Sequence, residues 1–67
     1  MTPAEETRHL SVLEGELRRE FDTLPAEAVH EAVQIEHKVF DRAPIRDFVP
    51  VLVGRAVRKR LSHHMAA

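Results

Sequence analysis

Two short breaks, each closed by a proline, divide this sequence into three stretches with helical periodicity. The breaks are Asp22-Thr23-Leu24-Pro25 and Asp41-Arg42-Ala43-Pro44. Helices seldom run through such segments, because proline lacks a backbone N–H and disfavours helical geometry in the residue before it. No stretch alternates apolar and polar residues with the period of two that is typical of strands. The sequence therefore predicts an all-α fold. It is a three-helix bundle in one domain, residues 1–67, with helices at about 3–21, 25–40 and 45–62 and a frayed tail over about 63–67.

Local signals mark where the helices begin. Thr2 and Glu5 have the spacing of a capping box, and Pro3 suits the first helical position. Asp47 is the N-cap candidate of the third helix, which would place Pro50 in the first turn. A helical turn at residues 44–46 would precede that helix, with a bend between them. Gly15 is expected on the solvent side of the first helix, where glycine costs about 1 kcal/mol relative to alanine.

Each predicted helix carries an apolar stripe at about 100° per residue. The stripe of the second helix covers about half of its circumference, which is the width needed to contact two neighbours. The predicted core consists of Leu10, Leu13, Leu17, Phe21, Val29, Ala32, Ile35, Val39, Ile45, Phe48, Val49, Leu52 and Ala56.

The chain has 67 residues and no cysteine. A domain of this size buries only about 60% of its unfolded surface, and such domains usually depend on disulfides, a metal or oligomerisation. The absence of cysteine excludes disulfides, thiolate metal sites and cysteine nucleophiles.

A second apolar face on the third helix favours oligomerisation. Pro50, Gly54, Val57 and Leu61 have a coiled-coil-like spacing roughly opposite the main stripe, and Gly54 would let a partner backbone approach closely. Scattered surface apolar residues are the alternative interpretation, and they are common. We favour a homodimer, since a three-helix core does not need both sides of one helix. Its predicted interface consists of Pro50, Gly54, Val57 and Leu61, with Val33 and Phe40 of the second helix.

Five histidines raise the question of a metal site. His30 and His37 are two turns apart on one helical face, and His37 and Asp41 have a spacing that can share an ion. A closed zinc site needs about four ligands, however, and both histidines lie beside Gln34 and Lys38 on the polar side of the helix. We expect solvated histidines, with no metal and no cofactor.

The charges are unevenly distributed between the two halves of the chain. Residues 1–34 have eight acidic and three basic side chains, a net charge of −5, and residues 35–67 have seven basic and three acidic ones, a net charge of +4. The basic run Arg55, Arg58, Lys59 and Arg60 could contact phosphates. The chain has no Tyr or Trp, and basic residues at a helix C-terminus are usually solvated. A small regulatory protein that binds nucleic acid is therefore the alternative to self-association.

Other function classes lack sequence support. The only glycines are Gly15 and Gly54, so there is no glycine-rich phosphate loop, and the serines lack the context of a nucleophile elbow. We expect no enzymatic activity. The longest uncharged run, Phe48 to Gly54, is too short to span a bilayer, and the acidic N-terminal residues lack the apolar segment of a signal peptide. A cytoplasmic location is expected.

The segment Ala43-Pro44-Ile45-Arg46-Asp47-Phe48-Val49-Pro50-Val51-Leu52-Val53, followed by Arg55, Arg58 and Arg60-Leu61, resembles a known module. It is similar to the actinobacterial three-helix-bundle dimerisation domain, which occurs alone and before low-molecular-weight protein-tyrosine-phosphatase or arsenate-reductase-like domains. Phe21-x-x-Leu24-Pro25 with Val29 and Ala32 is similar to the junction of that family's first two helices. The resemblance implies a dimerisation or docking module, with a phosphatase-like or arsenate-reductase-like protein carrying a related domain as a candidate partner. It implies no catalysis, and it marks Arg46, Asp47, Phe48 and Pro50 as the structural signature of the third helix.

Overall fold

A computed structural model describes residues 2–42 and 46–66. Helix α1 spans Pro3–Glu20, α2 spans Ala26–Val39, and α3 spans Val49–Ala66, with a 3-10 turn at Arg46–Phe48 leading into α3. No strand occurs in these two ranges. Each helix packs against the other two, which confirms the predicted all-α three-helix bundle.

The first two helices begin and end within one residue of the predicted positions. The hydroxyl of Thr2 accepts a hydrogen bond from the backbone N–H of Glu5 at 3.2 Å, and Pro3 is the first helical residue. Phe21 caps the end of α1, where its N–H donates to the carbonyl of Leu17 at 2.9 Å. Pro25 directly precedes α2. Capping and proline geometry therefore set these ends.

The bounds of α3 depart further from the prediction. The predicted start at residue 45 lies outside the described ranges, and α3 begins at Val49 with Pro50 in its first turn, as expected. Asp47 lies within the 3-10 turn rather than directly before the first α-helical residue. The helix continues to Ala66, four residues beyond the predicted end at residue 62, and Ala67 is outside the described ranges. Fraying of this tail stays a prediction. The segment has no glycine or proline to end the helix.

The core lies where the three helices meet. Leu17, Val29, Val49, Val53 and Val57 are completely buried. The three buried valines of α3 recur every four residues, so they form one inward face over more than two turns of the helix. The buried apolar side chains are Leu10, Leu17, Val29, Ala32, Val33, Val49, Val53, Val57 and Leu61, and Leu13, Phe21, Leu24 and Phe40 pack against them.

Part of the predicted core is wrong. Ile35, Val39 and Phe48 are 40%, 66% and 59% exposed, and Leu52 and Ala56 are only partly buried. Ile45 lies outside the described ranges. The cause is the orientation of the helices: α2 turns Val29, Ala32 and Val33 inward, and α3 turns Val49, Val53 and Val57 inward. A periodic pattern defines the faces of a helix but does not determine which one packs when two are apolar.

Two ion pairs show that α1 and α2 form an antiparallel hairpin. Glu6, early in α1, lies beside His37 late in α2, and Glu14, later in α1, lies beside His30 earlier in α2. Helix α3 packs on this hairpin and reaches both members of it. Arg58 pairs with Glu20 at the end of α1. No helix in the described part of the chain is both long and apolar enough to cross a membrane.

Candidate interaction surface

The predicted dimer seam lies mostly inside the single chain. Val33, Val57 and Leu61 are 1%, 0% and 4% exposed, and Gly54 is buried as well. Pro50 and Phe40 are half-buried. The seam as predicted is therefore corrected, since side chains that fill the core of one chain cannot also form a contact between two chains.

Gly54 does permit a close approach, but the neighbour is α1 of the same chain. A Cβ atom at this position would lie 3.0 Å from Cδ1 of Leu13 and 3.1 Å from a guanidinium nitrogen of Arg58. These distances are shorter than ordinary van der Waals contacts. The absence of a side chain at Gly54 therefore determines how closely α1 and α3 pack.

The large apolar side chains that remain exposed define where another molecule could bind. They are Val12, Ile35, Val39, Phe48 and Val51, with exposed fractions between 40% and 66%. Val12 and Val51 line one groove, and Ile35 lines another. Exposed apolar side chains that lie together in a groove are typical of interaction sites.

The first groove runs between α1 and α3 and is called here the α1–α3 groove. Val12 and Leu13 contribute from α1, and Pro50 and Val51 contribute from the start of α3. Glu16 on α1 and Arg55 on α3 add opposite charges to its walls. The complete lining consists of His9, Val12, Leu13, Glu16, Pro50, Val51, Gly54, Arg55 and Arg58.

The second groove, the α2–α3 groove, lies between α2 and the C-terminal half of α3. Its apolar side chains come from the turn before α2, from α2 itself and from Leu61. Arg60 on its wall already pairs with Glu36 of the same chain, at 3.4 Å between Nη2 and Oε1. The lining consists of Leu24, Ala28, Glu31, Ala32, Ile35, Arg60, Leu61 and His63.

The basic run of α3 does not form one free cationic surface. Nε of Arg58 donates to Oε2 of Glu20 at 2.9 Å, and Arg60 pairs with the buried Glu36. Arg55 and Lys59 are exposed. Two of the four side chains predicted as phosphate contacts are thus partly neutralised by carboxylates of the same chain.

Two histidines of α2, His30 and His37, contact glutamates of α1, and the sequence analysis did not predict these contacts. Nδ1 of His30 lies 2.7 Å from Oε1 of Glu14, whose other oxygen accepts from Arg18 at 2.7 Å. Nε2 of His37 lies 3.3 Å from Oε2 of Glu6. Both contacts could have been predicted by pairing the acidic residues of α1 with the histidines of α2 across an antiparallel hairpin. Over the described residues, no three His, Asp or Glu side chains come together as ligands for one ion.

The signature segment of the third helix lies at the entrance to α3. Phe48 is exposed in the 3-10 turn, and Pro50 is half-buried against the α1–α3 groove. Asp47 is exposed in the same turn. The side chain of Arg46 lies outside what the structure describes. The segment thus combines exposed apolar surface with the start of a core helix.

Comparison of the chain with known protein families, with curated proteins and with solved structures finds no match. The similarity to the actinobacterial dimerisation domain therefore rests on the sequence motifs alone.

Proposed function

We propose that this chain is a non-enzymatic self-association module that forms a homodimer through apolar side chains its own fold leaves exposed. The observation that carries the proposal is the set of large exposed hydrophobic residues, above all Val12, Phe48 and Val51, each close to 60% exposed. Covering such side chains removes apolar surface from water, at about 25 cal/mol for each Å².

The size of the chain supports the same proposal. The buried apolar side chains are mostly valines, which are small, and only Leu10, Leu17 and Leu61 among them are larger. A core of this kind supplies only about 3–5 kcal/mol in a chain below 70–80 residues. A second copy packed on the exposed apolar residues would add the stabilisation that disulfides cannot provide here.

The resemblance described above points in the same direction. Members of the actinobacterial family dimerise, and the segment that carries the resemblance includes Phe48, Pro50 and Val51. Phe48 and Val51 are exposed, and Pro50 lines the α1–α3 groove. A phosphatase-like or arsenate-reductase-like protein with a related domain is the proposed heterologous partner, and the proposal includes a cytoplasmic location.

Binding of nucleic acid through Arg55, Arg58, Lys59 and Arg60 is the weaker candidate. Protein affinity for nucleic acid grows with the number of phosphates that free Lys and Arg neutralise. Arg58 and Arg60 already pair with carboxylates, and the acidic residues Glu20 and Glu36 lie beside them. A phosphate backbone on this surface would have to compete with both ion pairs.

Light scattering after size exclusion tests the proposal, over a concentration series that reaches tens of micromolar at low and at high salt. The expected result is the mass of two chains at the upper concentrations, retained at high salt because apolar contacts do not depend on charge. A mass of one chain throughout would contradict it. Fluorescence anisotropy with labelled DNA and RNA under the same conditions tests the alternative, for which the affinity should fall steeply as salt rises.

A further inference from the structure

The α1–α3 groove presents two exposed valines on opposite walls. Val12 of α1 is 58% exposed and Val51 of α3 is 59% exposed, although both lie beside a close contact between the helices. Leu13 and Gly54 form that contact at the floor between the two walls. The two valines thus add exposed apolar surface to a groove that the single chain already forms.

The same two walls carry one acidic and one basic side chain. Glu16 lies on the wall formed by α1 and Arg55 on the wall formed by α3, and both are exposed. Neither forms an ion pair with another residue in the described ranges, and they do not pair with each other. Arg58, on the same groove, is already bound to Glu20. The groove therefore has an available negative charge on one side and an available positive charge on the other.

A surface with this arrangement is complementary to itself. A two-fold axis along the groove would lay α1 of each copy over α3 of the other. Val12 of one copy would then face Val51 of the second copy, and Glu16 would face Arg55, each contact occurring twice by symmetry. Contacts of this isologous kind are the commonest in homodimers.

We propose that the α1–α3 groove is the dimer interface and that its occupant is the same groove of a second copy of this chain. This inference rests on the proposed function, because it specifies the surface through which the chain self-associates. The available charges identify the occupant, since a partner must offer a cation opposite Glu16 and an anion opposite Arg55 at the spacing of one groove. A second copy satisfies both conditions without any other molecule. The Glu16–Arg55 contacts fix the register and exclude other orientations.

Charge reversal tests the inference by light scattering and sedimentation equilibrium at low salt. Glu16→Arg and Arg55→Glu each place like charges opposite one another twice, and each should weaken the dimer at least about tenfold. The double variant Glu16→Arg/Arg55→Glu restores opposite charges and should recover the dimer. An equimolar mixture of the two single variants should form a heterodimer, because both symmetry-related contacts then become attractive.

Ile35→Asp is the matched control, since Ile35 is an exposed apolar residue of the α2–α3 groove. It should leave the dimer unchanged, and circular dichroism should show that all variants remain helical. If the wild type is a dimer that only Ile35→Asp disrupts, or if no charge reversal has an effect, the groove is not the interface and the proposed function still stands. If the wild type is a monomer at every concentration, the proposed function fails together with this interface.

Discussion

The Cδ1 methyl of Leu13 lies 3.0 Å from the position that a Cβ atom of residue 54 would occupy. Gly54 thus leaves room for Leu13 where α1 and α3 pack together. The sequence predicted that Gly54 would admit the backbone of a second molecule, and the structure places a leucine of the same chain there instead. In this arrangement Val49, Val53 and Val57 are buried and Val51 is exposed.

The two glycines should respond in opposite ways to substitution by alanine. Both lie inside helices, where alanine is favoured over glycine by about 0.8–1.0 kcal/mol. A Cβ at Gly15 meets no atom within 4 Å, so Gly15→Ala should raise the free energy of unfolding by nearly that amount. Gly54→Ala should gain nothing or lose stability, since Leu13 and Arg58 must move. Urea unfolding at one fixed protein concentration measures both, and equal stabilisation by the two variants would contradict the packing argument.

Truncation to alanine should destabilise the protein far more at buried Leu17 than at exposed Phe48. Leu17 is fully buried, so Leu17→Ala should cost about 2–5 kcal/mol, close to the total stability of a domain this small. Phe48 was predicted in the core but is 59% exposed, so Phe48→Ala should cost the single chain less than about 1 kcal/mol at a protein concentration where it is monomeric. Thermal unfolding followed by circular dichroism compares them. A larger loss for Phe48→Ala than for Leu17→Ala would contradict the observed burial of Leu17 and exposure of Phe48.

The sequence predicts the helices well and their orientation poorly, for identifiable reasons. Thr2, Pro3 and Pro25 act on the backbone beside them, so the ends of α1 and α2 follow from local chemistry. Which face of α3 packs depends on contacts with α1 and α2, such as the one between Gly54 and Leu13, more than forty positions away in the sequence, and no local pattern carries that information. The helical spacing placed Phe48 and Leu52 in the predicted core, whereas the structure buries Val53 and Val57. Because α3 packs with a different face than predicted, the candidate interface also differs from the predicted one.

Capping by Thr2 gives a prediction confined to the first turn of α1. Loss of its hydroxyl leaves the N–H of Glu5 without the acceptor that now lies 3.2 Å away. Thr2→Ala should therefore cost about 0.5–2 kcal/mol, and Thr2→Ser should retain most of the stability. Amide hydrogen exchange at Glu5 is the sharpest measurement, since it should become faster in the alanine variant only. Equal exchange rates in the two variants would show that the side chain does not cap the helix.

The ion pair between Glu36 and Arg60 joins α2 to α3, and its two side chains differ in their exposure to solvent. Glu36 is only 8% exposed, whereas the side chain of Arg60 is 48% exposed. Arg60→Met should cost about 1–3 kcal/mol, because a buried carboxylate loses its charged partner. The double variant Glu36→Leu/Arg60→Met should recover most of that loss, as apolar replacements of buried pairs often do.

Arg58→Met is the control, since its partner Glu20 is half exposed and the loss should stay below about 1 kcal/mol. Chemical denaturation of the wild type, Glu36→Leu, Arg60→Met and the double variant at one protein concentration gives the full cycle. A double variant less stable than Arg60→Met would show that Glu36 contributes through contacts other than this pair.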